Sequence, residues 1–156
     1  MQKLFTIGYE GISINEYVCK LTQNKIKTLV DVRRNAYSKK PGFNKQDLQY
    51  LLSEIGMKYI HIPELGIESD KREEYKRIKQ IPDLPLFGIT AAQDAKTNLF
   101  ADYEADLPSK QKYINQLLDI LDQDKFVAIT CFEADAKCCH RHQLTNYLQG
   151  IEVVDL

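Results

Sequence analysis

One segment near the carboxyl terminus, residues 131–141, concentrates side chains that often do chemistry. Its sequence is CFEADAKCCHR. A cysteine thiolate is a strong nucleophile and a soft metal ligand, histidine transfers protons near neutral pH, and arginine binds anions through paired hydrogen bonds. We therefore expect catalytic roles for Cys131, Glu133, Cys139 and His140. We expect Arg141 to bind the substrate.

The same segment allows three interpretations. It runs from a predicted strand to a predicted helix, where backbone N–H groups attract an anion and lower the pKa of a thiol, so Cys131 or Cys139 could be the nucleophile and His140 the base. Alternatively, these residues hold a metal ion, although the adjacent pair Cys138 and Cys139 has poor spacing for zinc. In the third interpretation, Cys131 is a buried core residue and His140 caps a helix.

A second segment, residues 33–45, is strongly basic, with five Lys or Arg residues and no acidic residue. Its aromatic residues Tyr37 and Phe43 could stack on bases while the cations contact phosphates. An ordinary solvated loop is the alternative for the lysines. Arg33 and Arg34 directly follow a predicted strand that contains Asp31, so we expect Asp31, Arg33 and Arg34 to bind substrate. Alternatively, Arg33 pairs with Asp31.

A third candidate pair follows another predicted strand. His61 lies at the end of that strand and Glu64 comes after a turn at Pro63. A histidine and a carboxylate this close could act as general base and orienting acid, or as metal ligands, so we expect catalytic roles for both. Tyr9 follows the first strand and is an expected substrate-binding residue. Asp102 could add a carboxylate, but a solvated acidic face is favoured there.

The elements that position these residues alternate along the chain. Short β-branched and aromatic runs are followed by segments with apolar residues at helical spacing, which indicates strand–helix units and a mainly parallel sheet. The pattern predicts strands at Leu4–Ile7, Leu29–Val32, Tyr59–Ile62, Phe126–Thr130 and Val153–Val154. It predicts a first helix that begins at the capping box Ser13 to Glu16 and a second with an apolar face from Leu48 to Ile55. Further helices are predicted over 72–79, 114–121 and 141–148, and a turn over 81–85.

These elements predict a three-layer α/β sandwich, with about five mainly parallel strands and flanking helices, as one domain over residues 1–156. The carboxyl ends of parallel strands share one edge of the sheet, where ligands bind, so we expect the candidate residues to meet there. A chain of 156 residues with 44% hydrophobic content builds a core without disulfides. Strand order, cofactor and oligomeric state are not readable from the pattern.

Charge and cysteine usage narrow the function classes. The formal net charge is −1, so no overall basic excess supports binding to nucleic acid or a membrane. No stretch approaches the ~18 apolar residues that span a bilayer, and no secretory leader is recognisable. Four cysteines without a leader, two of them adjacent, argue against a disulfide framework. We expect a cytoplasmic protein with free thiols.

The segments together resemble the prokaryotic domain of unknown function 488 family. The resemblance rests on Thr6-Ile7-Gly8-Tyr9, Leu29 to Arg33, the loop Ser38 to Phe43, Tyr59 to Gly66, Ala101-Asp102-Tyr103, Cys131-Phe132-Glu133 and Cys139-His140-Arg141. It implies a small prokaryotic protein without an agreed activity, with signature residues Asp31, Arg33, His61, Glu64, Cys131, Glu133, Cys139, His140 and Arg141. The chain departs from the family at Tyr9-Glu10, where members commonly have His-Ser, and at Asn35-Ala36-Tyr37, where members tend to have proline.

We therefore expect an enzyme that acts on an anionic substrate, such as a nucleotide, a nucleic acid or another phosphorylated molecule. Its site of Cys, His, Glu and Arg residues would lie at the carboxyl ends of the strands. The alternatives are a non-catalytic nucleic-acid-binding module that uses residues 33–45, a metal-binding protein, and a thiol redox sensor that uses Cys138 and Cys139.

Overall fold

A computed structural model describes residues 2–80 and 91–156 of the chain. In that part, one sheet contains the strands β1 (Gln2–Gly8), β2 (Thr28–Asp31), β3 (Lys58–His61), β4 (Val127–Cys131) and β5 (Ile151–Asp155). Their order across the sheet is β3-β2-β4-β1-β5, and every neighbouring pair is parallel. The predicted parallel α/β architecture is confirmed. Each strand lies within one or two residues of its predicted position.

Helices cover both faces of this sheet. They are α1 (Ile14–Gln23), α2 (Lys45–Glu54), α3 (Ser69–Lys79), α4 (Ala91–Asp106), α5 (Gln111–Gln123) and α6 (His140–Tyr147). Successive strand residues point to opposite faces, so Phe5 packs with α1 and α2 whereas Leu4 packs with α4, α5 and α6. The protein thus has three layers with one apolar core on each side of the sheet.

Local sequence signals account for several of these boundaries. The Ser13 hydroxyl accepts a hydrogen bond from the Glu16 backbone N–H, and the Glu16 carboxylate accepts one from the Ser13 backbone N–H, so the predicted capping box is confirmed. The helical face predicted to extend to Ile55 ends earlier, because α2 ends at Glu54, and Ile55 is 48% exposed. The turn predicted over 81–85 lies outside the described residues.

The central strand β4 determines where the candidate residues lie. β1 pairs with it on one side and β2 on the other, which brings Gly8 beside Cys131 and Asp31 beside Thr130. All five residues of β4 are buried. Cys131 therefore ends the middle strand at the carboxyl edge of the sheet. None of the helices in the described part combines the length and apolar content needed to cross a membrane.

Candidate functional site

Two cysteines and one histidine converge where β4 ends and α6 begins. Cys131 is the last residue of β4, Cys139 immediately precedes α6, and His140 is its first residue. His140 Nδ1 lies 3.6 Å from Cys131 Sγ and 3.7 Å from Cys139 Sγ. All three side chains are buried, and one ligand-type atom from each lies within 4.8 Å of the others. We call these three residues the sulfur–imidazole cluster.

A carboxyl group adjoins this cluster. Glu133 Oε2 lies 3.4 Å from Cys131 Sγ, at hydrogen-bond distance for a thiol. Burial raises the pKa of the Glu133 carboxyl, and the neighbouring Cys131 charge raises it further. The predicted catalytic residues Cys131, Glu133, Cys139 and His140 are therefore in contact with one another.

The two cysteines of the cluster have opposite electrostatic environments. The hydrogen bond with Cys139 and the neighbouring His140 imidazole hold the pKa of Cys131 well below its usual range, although burial opposes this. Burial and the contact with Cys131 raise the pKa of Cys139. The pair thus favours one thiolate, on Cys131, and one thiol. Cys138 is exposed, so adjacent Cys138 and Cys139 face different surroundings.

The imidazole of His140 is held from its other side. Its Nε2 lies 3.3 Å from the backbone carbonyl oxygen of Val32, and its ring packs edge-on against Tyr103, with 5.2 Å between ring centroids. The Tyr103 hydroxyl in turn donates to the Leu65 carbonyl. The Nε2–H group can donate to the Val32 carbonyl, and Nδ1 then faces the two sulfur atoms.

Arg141 holds the loop that joins the two cysteines. Its Nη1 donates to the Glu133 carbonyl at 2.6 Å and its Nη2 to the Ala134 carbonyl at 2.9 Å, while the side chain is buried. The predicted anion-binding residue thus has both terminal nitrogens bound to backbone carbonyls. Its contacts fix Glu133 beside Cys131.

The end of β1 holds the same loop from the opposite side. The backbone N–H groups of Tyr9 and Glu10 donate to the Phe132 carbonyl at 3.1 and 2.9 Å. Gly8 packs directly beneath, so closely that a Cβ built there would lie 1.8 Å from the Glu133 carbonyl oxygen. Only glycine allows this approach, because any side chain would displace the loop.

An open cleft of about 450 Å³ adjoins the cluster. His140 and Glu133 line one wall, together with other residues of the loop that follows β4 and with Glu10. α3 and α4 supply the opposite wall, including Arg72, Tyr75, Lys96 and Phe100. The Arg72 guanidinium makes no hydrogen bond or ion pair with any residue in the described ranges, and its charge lowers the pKa of Cys131 and of Glu133. The cleft is therefore lined both by His140 of the cluster and by a cationic side chain that is available to bind an anion.

Asp31 and Arg33 form a second buried network, and Arg33 lines a depression that it shares with Arg72 and Glu133. Arg33 Nη2 lies 2.6 Å from Asp31 Oδ2, and Arg33 Nη1 donates to the Tyr9 hydroxyl and the Phe43 carbonyl. Burial opposes the charge of Arg33, but the Asp31 carboxylate raises the Arg33 pKa above its usual range. The Tyr59 hydroxyl also donates to Asp31, at 2.6 Å. Of the roles predicted for Arg33, the structure contains the pairing with Asp31.

Two residues expected to bind substrate or bases pack inside this network. Tyr9 is buried and stacks on Phe43, with 4.3 Å between ring centroids and 11° between the planes. The prediction that Phe43 stacks on a base is wrong, because its side chain is wholly buried. Tyr37 is 67% exposed, and stacking of its ring on a base stays a prediction.

Other cations of residues 33–45 also have partners within the protein. Arg34 pairs with Glu68 at 3.0 Å, and Lys40 Nζ donates to the Tyr9 carbonyl at 2.7 Å. Lys39 and Lys45 remain exposed. The segment therefore presents fewer available cations than its sequence indicates.

His61 and Glu64 lie apart from the cleft. His61 Nε2 lies 2.8 Å from the Arg33 carbonyl oxygen, and His61 lines a different depression, together with Arg34, that shares no lining residue with the cleft. The Glu64 carbonyl accepts a hydrogen bond from Lys110 Nζ at 2.8 Å. The structure thus does not bring this predicted pair into contact with the sulfur–imidazole cluster.

Arg72 is the site residue that sequence reasoning missed. It lies in α3, whose sequence SDKREEYKRIK has eight charged residues and no buried ones. Such a run indicates a solvated helix, and nothing in it separates Arg72 from Arg77. Its position follows from the packing of α3 against α4, which brings one face of the helix beside β4.

Comparison with known proteins gives one family. The family model described as "Domain of unknown function DUF488" matches residues 13–148, which include the cluster, Arg72, Asp31 and Arg33. No curated protein and no solved structure matches the chain significantly.

Proposed function

The chain belongs to the family of the domain of unknown function DUF488, and we propose that it is an enzyme acting on a small anionic substrate in the cleft beside Cys131. The substrate class is a nucleotide or another phosphorylated organic molecule. The chemical groups are the sulfur–imidazole cluster and Glu133, and Arg72 binds the anion.

One observation carries this proposal: Glu133, His140 and Arg72 line the same cleft, and Glu133 and His140 both contact Cys131. The cleft volume of about 450 Å³ is in the range of small-molecule sites. A guanidinium binds phosphate or carboxylate through two parallel hydrogen bonds, and Arg72 has its donors available for one. Glu133 lies where it can give a proton to bound substrate or take one from it.

Several other lining residues suit a substrate with both an anionic and an apolar part, although the carboxylates of Glu10 and Asp135 also line the cleft. Lys96 lies over the Phe100 ring, with 5.7 Å between Nζ and the ring centroid, and adds a second cation. Tyr75, Phe100 and Phe132 provide apolar and aromatic surface. A phosphorylated molecule with a base or another planar group matches this combination.

The anion-binding role thus moves from Arg33 and Arg141 to Arg72. The guanidinium groups of Arg33 and Arg141 bind Asp31 and backbone carbonyls, respectively, so they fix the walls of the site. Arg34 pairs with Glu68 and lines the depression that contains His61. The alternative of a nucleic-acid-binding module has less support. Among the lysines of residues 33–45, Lys40 is hydrogen-bonded within the protein, which leaves the side chains of Lys39 and Lys45 as the cations available for phosphates in the described part of the chain.

The test is a ligand screen followed by a matched pair of variants. Nucleotides, sugar phosphates and simple phosphate esters are tested for binding by thermal shift and for turnover by chromatography. For any compound bound by the wild-type protein, we expect Arg72→Gln to weaken binding about tenfold to a hundredfold, as for the loss of one charge-assisted contact.

Arg77→Gln is the matched control, because Arg77 lies on the same helix, is exposed and does not line the cleft. It should bind as the wild type does. Equal loss in both variants, or no binding of any phosphorylated compound at millimolar concentration, would overturn the proposal.

A further inference from the structure

We infer that Cys131, Cys139 and His140 bind one zinc ion. A donor set of two thiolates and one imidazole favours zinc over magnesium, calcium and manganese, which prefer oxygen ligands. The inference concerns the same cluster as the proposed function and rests on it only for the role of the metal in catalysis. Binding itself is measured without substrate, so the two proposals can fail separately.

The distances between the donor atoms support this. Zinc bonds of about 2.3 Å to sulfur and about 2.05 Å to nitrogen, at the tetrahedral angle, separate the sulfur and nitrogen atoms by about 3.6 Å. The measured separations from His140 Nδ1 are 3.6 Å to Cys131 Sγ and 3.7 Å to Cys139 Sγ. Both nitrogen-to-sulfur separations therefore match those around a shared ion, and the two sulfur atoms lie within 4.8 Å of each other.

The orientation of the imidazole points the same way. A histidine that ligates a metal commonly donates its other ring N–H to a carboxylate or a backbone carbonyl, which fixes the tautomer and the ring plane. His140 Nε2 has such a partner in the Val32 carbonyl, at 3.3 Å. The Tyr103 ring packs against the imidazole and limits its rotation.

Adjacent cysteines rarely both bind one zinc ion, but only one of the pair Cys138 and Cys139 lies in the cluster. Cys138 is exposed and lies 3.8 Å from Asp135 Oδ2, whereas Cys139 is buried in the cluster. One member of the pair thus provides a ligand and the other does not. Two thiolates also neutralise the ion, which makes its burial among apolar side chains feasible.

The fourth ligand position explains why a zinc ion here would serve chemistry. Catalytic zinc sites use three protein ligands and leave the fourth position to water or substrate. In this protein His140 and Glu133 both line the cleft, so a fourth position open to the cleft would lie within reach of bound substrate. The Glu133 carboxyl lies 3.4 Å from Cys131 Sγ and is placed for proton transfer at this position.

The experiment measures zinc in the full-length chain. Protein purified without chelators is analysed for metal content, then stripped and titrated with Zn²⁺ against a competing chelator. We expect one zinc per chain in the wild type and in Cys138→Ser. We expect loss of stoichiometric binding in Cys131→Ser and in Cys139→Ser.

Spectroscopy of the wild-type protein guards against variants that do not fold. Zinc-edge X-ray absorption should show two sulfur ligands and lighter nitrogen or oxygen ligands, and Co²⁺ substitution should give a thiolate charge-transfer band with tetrahedral d–d bands. Absence of stoichiometric zinc in the wild type, a ligand shell without sulfur, or equal loss in Cys138→Ser and Cys139→Ser would each overturn the inference.

Discussion

The carboxylate of Asp31 and the guanidinium of Arg33 form an ion pair inside the protein, with 2.6 Å between Oδ2 and Nη2 and 0% and 3% exposure of the two side chains. The residues are two positions apart, yet the pair joins distant parts of the chain, because Arg33 also donates to Tyr9 and Phe43. This network fixes the carboxyl end of β2 beside the loop that follows β1.

Removal of one partner leaves the other buried and charged. We expect Arg33→Ala to lower the free energy of unfolding by about 3–5 kcal/mol. Urea denaturation at neutral pH measures it. Arg34→Ala is the control, since Arg34 and Glu68 are about one-third exposed and such pairs contribute up to about 1 kcal/mol. A stability change as small for Arg33 as for Arg34 would contradict the structural role of the buried pair.

Gly8 tests how closely the loop between the two cysteines is held. A Cβ there would lie 1.8 Å from the Glu133 carbonyl oxygen, so we expect Gly8→Ala to cost about 1–3 kcal/mol of unfolding free energy and to weaken zinc binding. Calorimetry and zinc titration measure these effects. In Gly11→Ala only the backbone conformation at φ 77° is strained, since nothing lies within 4 Å of its Cβ. That control should lose some stability and keep its zinc affinity.

Glu133 separates chemistry from metal binding. Once a substrate is found, we expect Glu133→Gln to lower kcat about 10²–10⁴-fold, because the amide cannot transfer the proton, while zinc content is unchanged. Steady-state kinetics and elemental analysis measure the two properties. Asp102→Asn is the control, as Asp102 is exposed on α4 and does not line the cleft. Full activity of Glu133→Gln would remove the carboxyl from the mechanism.

The basic segment gives a prediction against the nucleic-acid alternative. Because Arg33, Arg34 and Lys40 have partners within the protein, we expect duplex DNA or RNA to bind with a dissociation constant above about 10⁻⁵ M at physiological salt. Fluorescence anisotropy over a salt series measures this. Tighter binding that disappears in Lys39→Gln plus Lys45→Gln but persists in Cys131→Ser would favour a binding module.

Much of this fold follows from local sequence. The Ser13–Glu16 capping box, the apolar spacing of α5 and the β-branched strands involve only neighbouring residues, so their positions are predictable. The location of the cluster follows as well, because Cys131 and His140 flank a strand end and a helix start.

Other parts depend on strand order and helix packing, which local sequence does not encode. His61 lies on β3 at the edge of the sheet, with β2 between it and β4. Two strand spacings amount to about 10 Å, enough to separate His61 from Cys131. Arg72 is the converse case, since helix packing brings a residue from a uniformly charged run to the cleft.

The position of β4 has a consequence for biosynthesis. β1 and β2 are made early, but each pairs with β4, which spans Val127–Cys131 and is therefore made late. Until the ribosome releases that strand, the nascent chain has two apolar strands with unpaired edges and no link between them. β4 and the start of α6 complete both the centre of the sheet and the cluster, so neither forms until these segments, synthesised after β1 and β2, have left the ribosome.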